Sequence, residues 1–452
     1  MGHGWTANPF GIDSSEGWAA RDESIIPENA RQYLAEIGGR RGFYKGSPLV
    51  TQFCMSNPEA RGIVARSVAD YAENHQNVDF LHVWLADFWN NQCECEVCRK
   101  KLPSDWYIAL MNDIDDELAA RKLSTRIVFI CYTETIFVAK DIKLKNPARF
   151  SMLFAPITRQ YYESVPLVPK RYEKMTYTLN DLRFPDSAGE YLMYGNECRD
   201  TYRVPSFVYE YHFTFNQCRN PGCMDFARLI HEDVRAYRHH GYQGLIEDGS
   251  QRSFFPNGFL LYVFGETLFD TSADFDKMVE DYYSHAYGAR WREVVELMER
   301  LGKCVSMKYL CGKERIDKEY NRLYQPAFEE SVRALERAAR EAQPFAREHR
   351  DQPYRVQSVC WQLLEKYLRF WEGLARPIAM MSAGKERKAA ALAYHDFFDE
   401  WGKEEEAMQL YYEHVNFHNA FGAPFFYDTR ENIPEDEAPT VRADTVGGIP
   451  DV

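Results

Sequence analysis

The stretch Phe80-Leu-His-Val-Trp-Leu-Ala-Asp87 decides how the fold of this chain is interpreted. An apolar run ends on an acid, aromatic and amide residues follow it directly, and Pro103 then opens an amphipathic stretch. A buried strand that delivers a carboxylate to its carboxyl end and returns through a helix is typical of the active sites of α/β barrels. Asp87 is therefore the first candidate catalytic residue.

The same alternation of apolar runs and helical patterns extends over residues 1–272. It predicts βα units and a parallel sheet or barrel. The candidate strands are residues 49–55, 80–86, 126–132, 150–155, 206–213 and 242–246. We predict an α/β fold, a (β/α)8 TIM-type barrel that lacks its first strands, because five or six strands fall short of eight. An open sheet with fewer strands is the alternative.

From residue 273 onward the pattern becomes helical, with apolar residues at three- and four-residue spacing between charges. Residues 273–427 are predicted to form an all-α helical bundle domain, which could also serve as the interface of a homo-oligomer. Residues 428–452 contain several prolines and acids and are predicted to be a disordered acidic tail.

Composition narrows the function classes. The formal net charge of −14 argues against a nucleic-acid surface, since phosphate binding requires clustered Lys and Arg. No window approaches the roughly 20 apolar residues of a membrane span. The chain as given shows no signal peptide and its 11 cysteines are scattered, so we expect a cytoplasmic protein with reduced thiols. Aromatic residues make up 15%, which fits either ring stacking on a sugar or a large aromatic core.

Glu210 is the second principal carboxylate in this interpretation. It follows an apolar run late in the predicted sheet, and His212 lies two residues on, hence on the same strand face. Asp87 and Glu210 together could act on a glycosidic bond, one as acid and the other as nucleophile or stabiliser. A Glu–His pair that bridges two strands is the alternative.

Further candidates lie at other strand ends. Glu134 closes the strand after Asp87, while Glu247 and Asp248 close the last one. Adjacent carboxylates can orient a substrate acetamido group, although an acid pair before glycine is also an ordinary turn. For Arg159 a salt bridge is the alternative to binding a sugar carboxylate. The expected substrate contacts are His3, Trp5, Trp84, Trp89, Asn90, Tyr132, Arg159, His212 and Arg252.

The cluster Cys93, Cys95 and Cys98 has the spacing of half a zinc site. Three thiolates can bind structural zinc if a fourth ligand comes from elsewhere, and Cys54, Cys131 or a histidine are candidates. Reduced thiols that pack in a loop are the alternative. No P-loop or dinucleotide-binding glycine motif is present, so we expect no required cofactor beyond such a zinc ion.

These motifs, in their order, resemble the bacterial domain-of-unknown-function family four-eight-three-eight. The resemblance covers roughly residues 1–290. It rests on Cys54-Met-Ser-Asn-Pro-Glu59, Trp84-Leu-Ala-Asp87 with Asn90-Asn91 and the cysteine block, Pro103-Ser-Asp, Phe154-Ala-Pro-Ile-Thr-Arg159, Tyr211-His212 and Arg252-Ser-Phe-Phe-Pro256. It implies a glycoside-hydrolase-like TIM barrel, related to α-glucuronidase, hexosaminidase and endo-β-N-acetylglucosaminidase barrels, and a carbohydrate substrate.

The leading hypothesis is therefore a glycoside hydrolase-like protein of bacterial carbohydrate metabolism that acts on a hexosaminide- or uronide-containing glycan. A catalytically inactive carbohydrate-binding barrel or truncated pseudo-enzyme, which keeps the aromatic platform without a competent acid pair, is the alternative. The separation of the carboxyl groups across a cleft distinguishes the two.

Overall fold

The computed structural model describes residues 2–185, 187–249, 252–314, 324–384, 386–426 and 433. The chain divides into two compact units. Unit 1 comprises Met1–Arg159, Val165–Glu210 and Tyr237–Ile246, and unit 2 comprises Gln160–Ser164, Tyr211–Ala236 and Glu247–Val452. The predicted tail, residues 428–452, lies outside the described residues except for residue 433.

A five-stranded parallel sheet is the framework of unit 1. A small antiparallel hairpin, β1 (Glu36–Ile37) with β2 (Arg40–Arg41), precedes it. The sheet strands pair in chain order and curl into a half-barrel, which confirms the prediction of a parallel α/β sheet in this coarser form. They are β3 (Phe80–His82), β4 (Arg126–Cys131), β5 (Phe150–Phe154), β6 (Ser206–Glu210) and β7 (Leu245–Glu247).

Helices return the chain between three pairs of neighbouring strands, as crossovers between parallel strands usually do. They are α2 (Pro103–Ala120) between β3 and β4, α3 (Ala188–Tyr202) between β5 and β6, and α4 (Met224–His239) between β6 and β7. The first helix, α1 (Pro58–Asn74), precedes β3, and two short 3-10 helices lie between β4 and β5. The helix α1 begins at Pro58 because the Asn57 side chain accepts the amides of Glu59 and Ala60, and Pro58 occupies the first turn. The side chain of Ser187 likewise caps α3 by accepting the Glu190 amide.

The prediction of a strand over residues 49–55 is wrong. The segment forms only an isolated antiparallel bridge between Phe53 and Leu34. Its backbone groups pair with the preceding loop: Cys54 N donates to Tyr33 O at 2.7 Å and Ala35 N to Gln52 O at 2.9 Å. A short buried apolar run has the same sequence pattern whether its backbone groups form hydrogen bonds within a sheet or with a loop. Periodicity alone therefore cannot distinguish the two.

Helices dominate unit 2. The longest, α9 and α10, pack against each other, and the side chains of Trp361 and Trp371 on α10 are fully buried. No helix within the described ranges combines the length and the apolar character that crossing a membrane requires. The helices after α4 are α5 (Phe259–Phe269), α6 (Phe275–Tyr287), α7 (Trp291–Cys304), α8 (Met307–Leu310), α9 (Glu329–Glu348), α10 (Arg355–Ala383), α11 (Arg387–Trp401), α12 (Glu405–Met408) and α13 (His414–Phe425).

Candidate active site at the strand ends

Asp87 lies beyond the carboxyl end of β3, beside the residue that follows β4. Its Oδ1 atom accepts a hydrogen bond from the Tyr132 hydroxyl at 3.0 Å and another from the Phe88 amide at 2.8 Å. The two residues meet because β3 and β4 are adjacent and parallel, so their carboxyl ends share one edge of the sheet. The Asp87 side chain remains 16% exposed, so the carboxylate is both oriented and accessible to solvent.

His3 approaches the same carboxylate from the start of the chain. Its Nδ1 lies 2.6 Å from the Leu85 carbonyl oxygen, and its Nε2 lies 4.0 Å from Asp87 Oδ1. A carbonyl oxygen only accepts hydrogen bonds, so Nδ1 carries the proton in the neutral ring, and at 4.0 Å Nε2 makes no direct hydrogen bond to the carboxylate. The Trp84 ring packs edge-on against His3, with centroids 5.0 Å apart. Histidine, carboxylate and indole thus share one surface.

Glu134, at the start of the segment after β4, is buried, with 1% of its surface exposed. Its Oε1 accepts the Asn90 amide at 2.5 Å, while Oε2 is buried and no described residue offers it a partner with hydrogen-bond geometry. Burial raises the pKa of Glu134, although the Asn90 amide acts in the opposite direction. The structure therefore places a buried carboxyl group with a raised pKa close to the turn that follows Asp87.

The backbone around these two carboxylates adopts unusual conformations. Phe88, Asn90 and Thr133 have φ values of +81°, +56° and +46°. Left-handed backbone is unfavourable for residues other than glycine, and most of all for bulky or β-branched ones such as Phe and Thr. Such outliers concentrate at functional sites, where the surrounding structure compensates for their cost. Because these residues lie next to Asp87 and Glu134, their backbone conformations are a second, independent indication of a functional site at the carboxyl edge of the sheet.

An aromatic cluster borders the edge. Trp89 stacks on Phe88 with ring centroids 3.8 Å apart, and Phe184 meets Trp89 edge-on at 5.3 Å. Lys45 Nζ lies 3.7 Å from the Phe88 ring centroid, and Trp18, 57% exposed, packs edge-on against the same ring. Sequence reasoning found Trp89 and the adjacent Phe88 but missed Trp18, Lys45 and Phe184, because these three come from segments distant in sequence.

The Trp5 side chain is 5% exposed, and its Nε1 donates to the His82 carbonyl oxygen at 2.9 Å. This burial leaves little of the ring to stack on a ligand, contrary to the predicted sugar contact.

A separate cavity of about 440 Å³ lies at the opposite, amino ends of the strands, away from the predicted edge. Its lining includes Phe80, His82, Arg126, Ser151, Ser206 and Phe207.

Glu210 does not meet Asp87 in this structure, contrary to the predicted pairing. It forms an ion pair with Arg159, with Arg159 Nε 3.0 Å from Glu210 Oε1, and both side chains are fully buried. The Tyr237 hydroxyl donates to the same carboxylate. The inward-facing residue of β6 is Tyr209, whose ring contacts Trp84, so its neighbour Glu210 points to the opposite face. For Arg159 the structure shows the salt bridge that the sequence left as the alternative.

In unit 2, His212 lies between two carboxylates. Its Nδ1 is 2.8 Å from Glu247 Oε1 and its Nε2 is 2.9 Å from Asp233 Oδ2, with His212 and Asp233 fully buried. His212 comes two residues after the end of β6, so it does not share a strand face with Glu210 as predicted. Sequence reasoning missed Asp233, although an acid on the apolar face of α4, next to Ile230 and Val234, signals a buried partner.

The remaining candidates of unit 2 make structural contacts. Arg252 Nε donates to Glu413 Oε2 at 2.8 Å, as part of an ion pair. The backbone oxygen of Asp248 accepts the Thr214 hydroxyl at 2.6 Å.

The cysteine cluster gains a fourth member from outside the motif. Cys54, in the segment before α1, lies 3.7 Å from Cys95 and 3.8 Å from Cys98, sulfur to sulfur. One sulfur from each of Cys54, Cys93, Cys95 and Cys98 lies within 4.8 Å of all the others. Cys54 was one of three candidates for this position, and the structure selects it.

A comparison of the sequence with models of known protein families finds no match, and a comparison with curated proteins finds none either. The resemblance described above therefore rests on the quoted motifs alone.

Proposed function

We propose that this chain is a glycoside-hydrolase-like protein that binds a carbohydrate at the carboxyl edge of its sheet and uses Asp87 as its principal carboxylate. The observation that carries this proposal is the accessible Asp87 carboxylate, oriented by Tyr132 and flanked by His3 and Trp84. The proposed frame is a (β/α)8-type barrel, in which catalytic groups come from the carboxyl ends of several strands.

The geometry supports different roles for the two carboxylates at this edge. Asp87 accepts hydrogen bonds from a hydroxyl and an amide, which fix the orientation of its carboxylate and suit a nucleophile or a stabiliser of positive charge. Glu134 has a raised pKa, as a general acid requires. Glu134 thus replaces Glu210 as the proposed partner of Asp87. The proposed substrate class remains a hexosaminide- or uronide-containing glycan.

A carbohydrate-binding barrel without hydrolytic activity is the second candidate. The burial of Glu134 and the pairing of Glu210 with Arg159 favour it, because neither carboxylate faces solvent as an acid or base acting on a bound sugar would. The aromatic and amide groups at the edge would then bind the sugar alone.

Asp87→Asn tests both candidates with aryl N-acetylglucosaminides and aryl glucuronides. We expect the wild type to hydrolyse at least one and the variant to lose at least about 100-fold in kcat/KM. Asp79→Asn is the matched control, because Asp79 is exposed at the amino end of the same strand segment and should leave activity unchanged.

Three outcomes separate the possibilities. Binding by calorimetry without hydrolysis selects the carbohydrate-binding protein. Hydrolysis that survives Asp87→Asn removes Asp87 from the proposed role. A wild type that neither binds nor cleaves any sugar overturns the proposed function.

A further inference from the structure

The sulfur atoms of Cys54, Cys93, Cys95 and Cys98 have the spacing of a tetrahedral metal site. Zinc–sulfur bonds of about 2.3 Å place the ligands of a tetrahedron about 3.8 Å apart. The separations from Cys54 to Cys95 and to Cys98 are 3.7 and 3.8 Å. A disulfide needs sulfur atoms about 2.05 Å apart, so these pairs are not disulfides. All four cysteines are free thiols.

Backbone amides point at the sulfurs. Cys98 N lies 3.4 Å from Cys95 Sγ, within the Cys-x-x-Cys turn, and Glu36 N lies 3.3 Å from Cys93 Sγ. Amides that donate to a sulfur stabilise the thiolate, which is the form that binds a metal ion. Arg41 adds a positive charge beside Cys54 and Cys93.

Apolar packing alone does not explain why the segment that carries Cys54 meets the loop that carries Cys93, Cys95 and Cys98. The buried side chains of this cluster are those of Ala35, Cys54, Cys93 and Cys98, and the partly buried Ile37 and Cys95 pack against them, so four of these six residues are cysteines. Ser56 adds a hydroxyl 3.1 Å from Cys98 Sγ, which makes the cluster more polar. A few thiols bury too little apolar surface to offset the conformational entropy lost when several loops are ordered. The binding of a metal ion contributes free energy of folding directly.

We propose that these four cysteines bind one zinc ion in a structural site with four thiolate ligands. The ion joins the segment before α1 to the loop between β3 and α2. All four tetrahedral positions are filled by protein sulfur, so the site has no open position for a substrate or a water molecule. Its consequence is to fix the loop that begins immediately after Asn90 and Asn91.

Metal content tests the site without any carbohydrate, so its result is independent of the proposed function. The full chain, purified under reducing conditions, is expected to contain about one zinc per chain by elemental analysis. Replacement by Co²⁺ should give the visible bands of tetrahedral cobalt and a sulfur-to-cobalt charge-transfer band whose intensity corresponds to four thiolates.

Variants define the ligands. Cys54→Ser should lose about one quarter of the charge-transfer intensity and bind zinc at least about tenfold more weakly in competition with a chelator. Cys54→His should retain zinc through three thiolates and one imidazole, since imidazole is also a zinc ligand. Cys304→Ser is the control, because Cys304 lies outside the cluster in α7. It should change neither metal content nor spectrum.

Two results overturn the proposal. One is a reduced, folded wild type that takes up no zinc or cobalt. The other is a Cys54→Ser variant with unchanged stoichiometry and spectrum. If Cys54→Ser does not fold, the wild-type stoichiometry and cobalt spectrum still decide the question.

Discussion

The backbone amide of Asn90 donates a 2.5 Å hydrogen bond to Oε1 of Glu134, so a buried acid after β4 fixes the turn that follows Asp87. The link joins two strand ends at one edge of the sheet. It also gives Glu134 a structural role in addition to the chemical one proposed above. A change in the protonation of Glu134 on folding should therefore appear in the pH dependence of the free energy of unfolding.

Glu134→Gln should alter the pH dependence of stability. In the unfolded chain the group ionises near its ordinary pKa of 4.5, whereas burial raises the pKa in the folded state. The folded state thus binds more protons, and the stability of the wild type falls as the pH rises above 4.5. Glutamine does not titrate. As the pH rises above 4.5, the free energy of unfolding of the wild type should therefore decline relative to that of the variant, by at most about 1.4 kcal/mol per pH unit.

Urea denaturation at a series of pH values from about 4 to about 8 measures this difference. Glu96→Gln is the control, because its side chain is 91% exposed, and it should leave the pH dependence unchanged. Parallel curves for wild type and Glu134→Gln would show that Glu134 titrates alike in the folded and unfolded states.

Glu210→Gln distinguishes a structural from a catalytic carboxylate. The change removes the charge of Glu210 from its buried ion pair with Arg159, so we expect a loss of about 3–5 kcal/mol in the free energy of unfolding. Adding Arg159→Met removes the other charge of this pair, so the double variant should be less destabilised than the sum of the single ones. Chemical denaturation provides the measurement.

Glu329→Gln, which breaks a half-exposed pair with Arg333 on α9, is the control and should cost less than about 0.5 kcal/mol. A Glu210→Gln protein of unchanged stability that lost hydrolysis would instead support the catalytic role that the sequence predicts.

Tyr132→Phe should weaken the site without unfolding the protein, and this prediction rests on the proposed function. The variant removes the hydroxyl that donates to Asp87 Oδ1 at 3.0 Å. A hydrogen bond to a charged group contributes about 1.5–3 kcal/mol, so kcat/KM, or sugar affinity in a binding protein, should fall about 10- to 150-fold. Tyr354→Phe, at a side chain that is 71% exposed, is the matched control. A change smaller than about twofold would mean that Tyr132 does not orient Asp87 for function.

The candidate residues show where sequence reasoning reached its limit. Period-two alternation places Glu210 and its neighbour Tyr209 on opposite faces of β6, but it does not say which face lies inside the curled sheet. Strands of a parallel sheet are buried on both faces, so neither residue type reveals the answer. Only the tertiary structure shows Tyr209 against Trp84 and Glu210 against Arg159.

The sequence by itself determined the features that depend on neighbours in the chain. These include the Asn57 cap of α1, the alternation of strands and helices, the acid at the end of the run from Phe80, and the Cys-x-Cys-x-x-Cys spacing. Local hydrogen bonds and side-chain periodicity produce such features, and both are visible within a short window.

The tertiary structure alone decided which distant residues meet. It brought His3 to Asp87, selected Cys54 for the cysteine cluster, and linked Asn90 to Glu134. It also paired the backbone of residues 49–55 with a loop and not with the sheet. Each of these contacts depends on how loops close over the strand ends, and no local pattern in the chain encodes that closure.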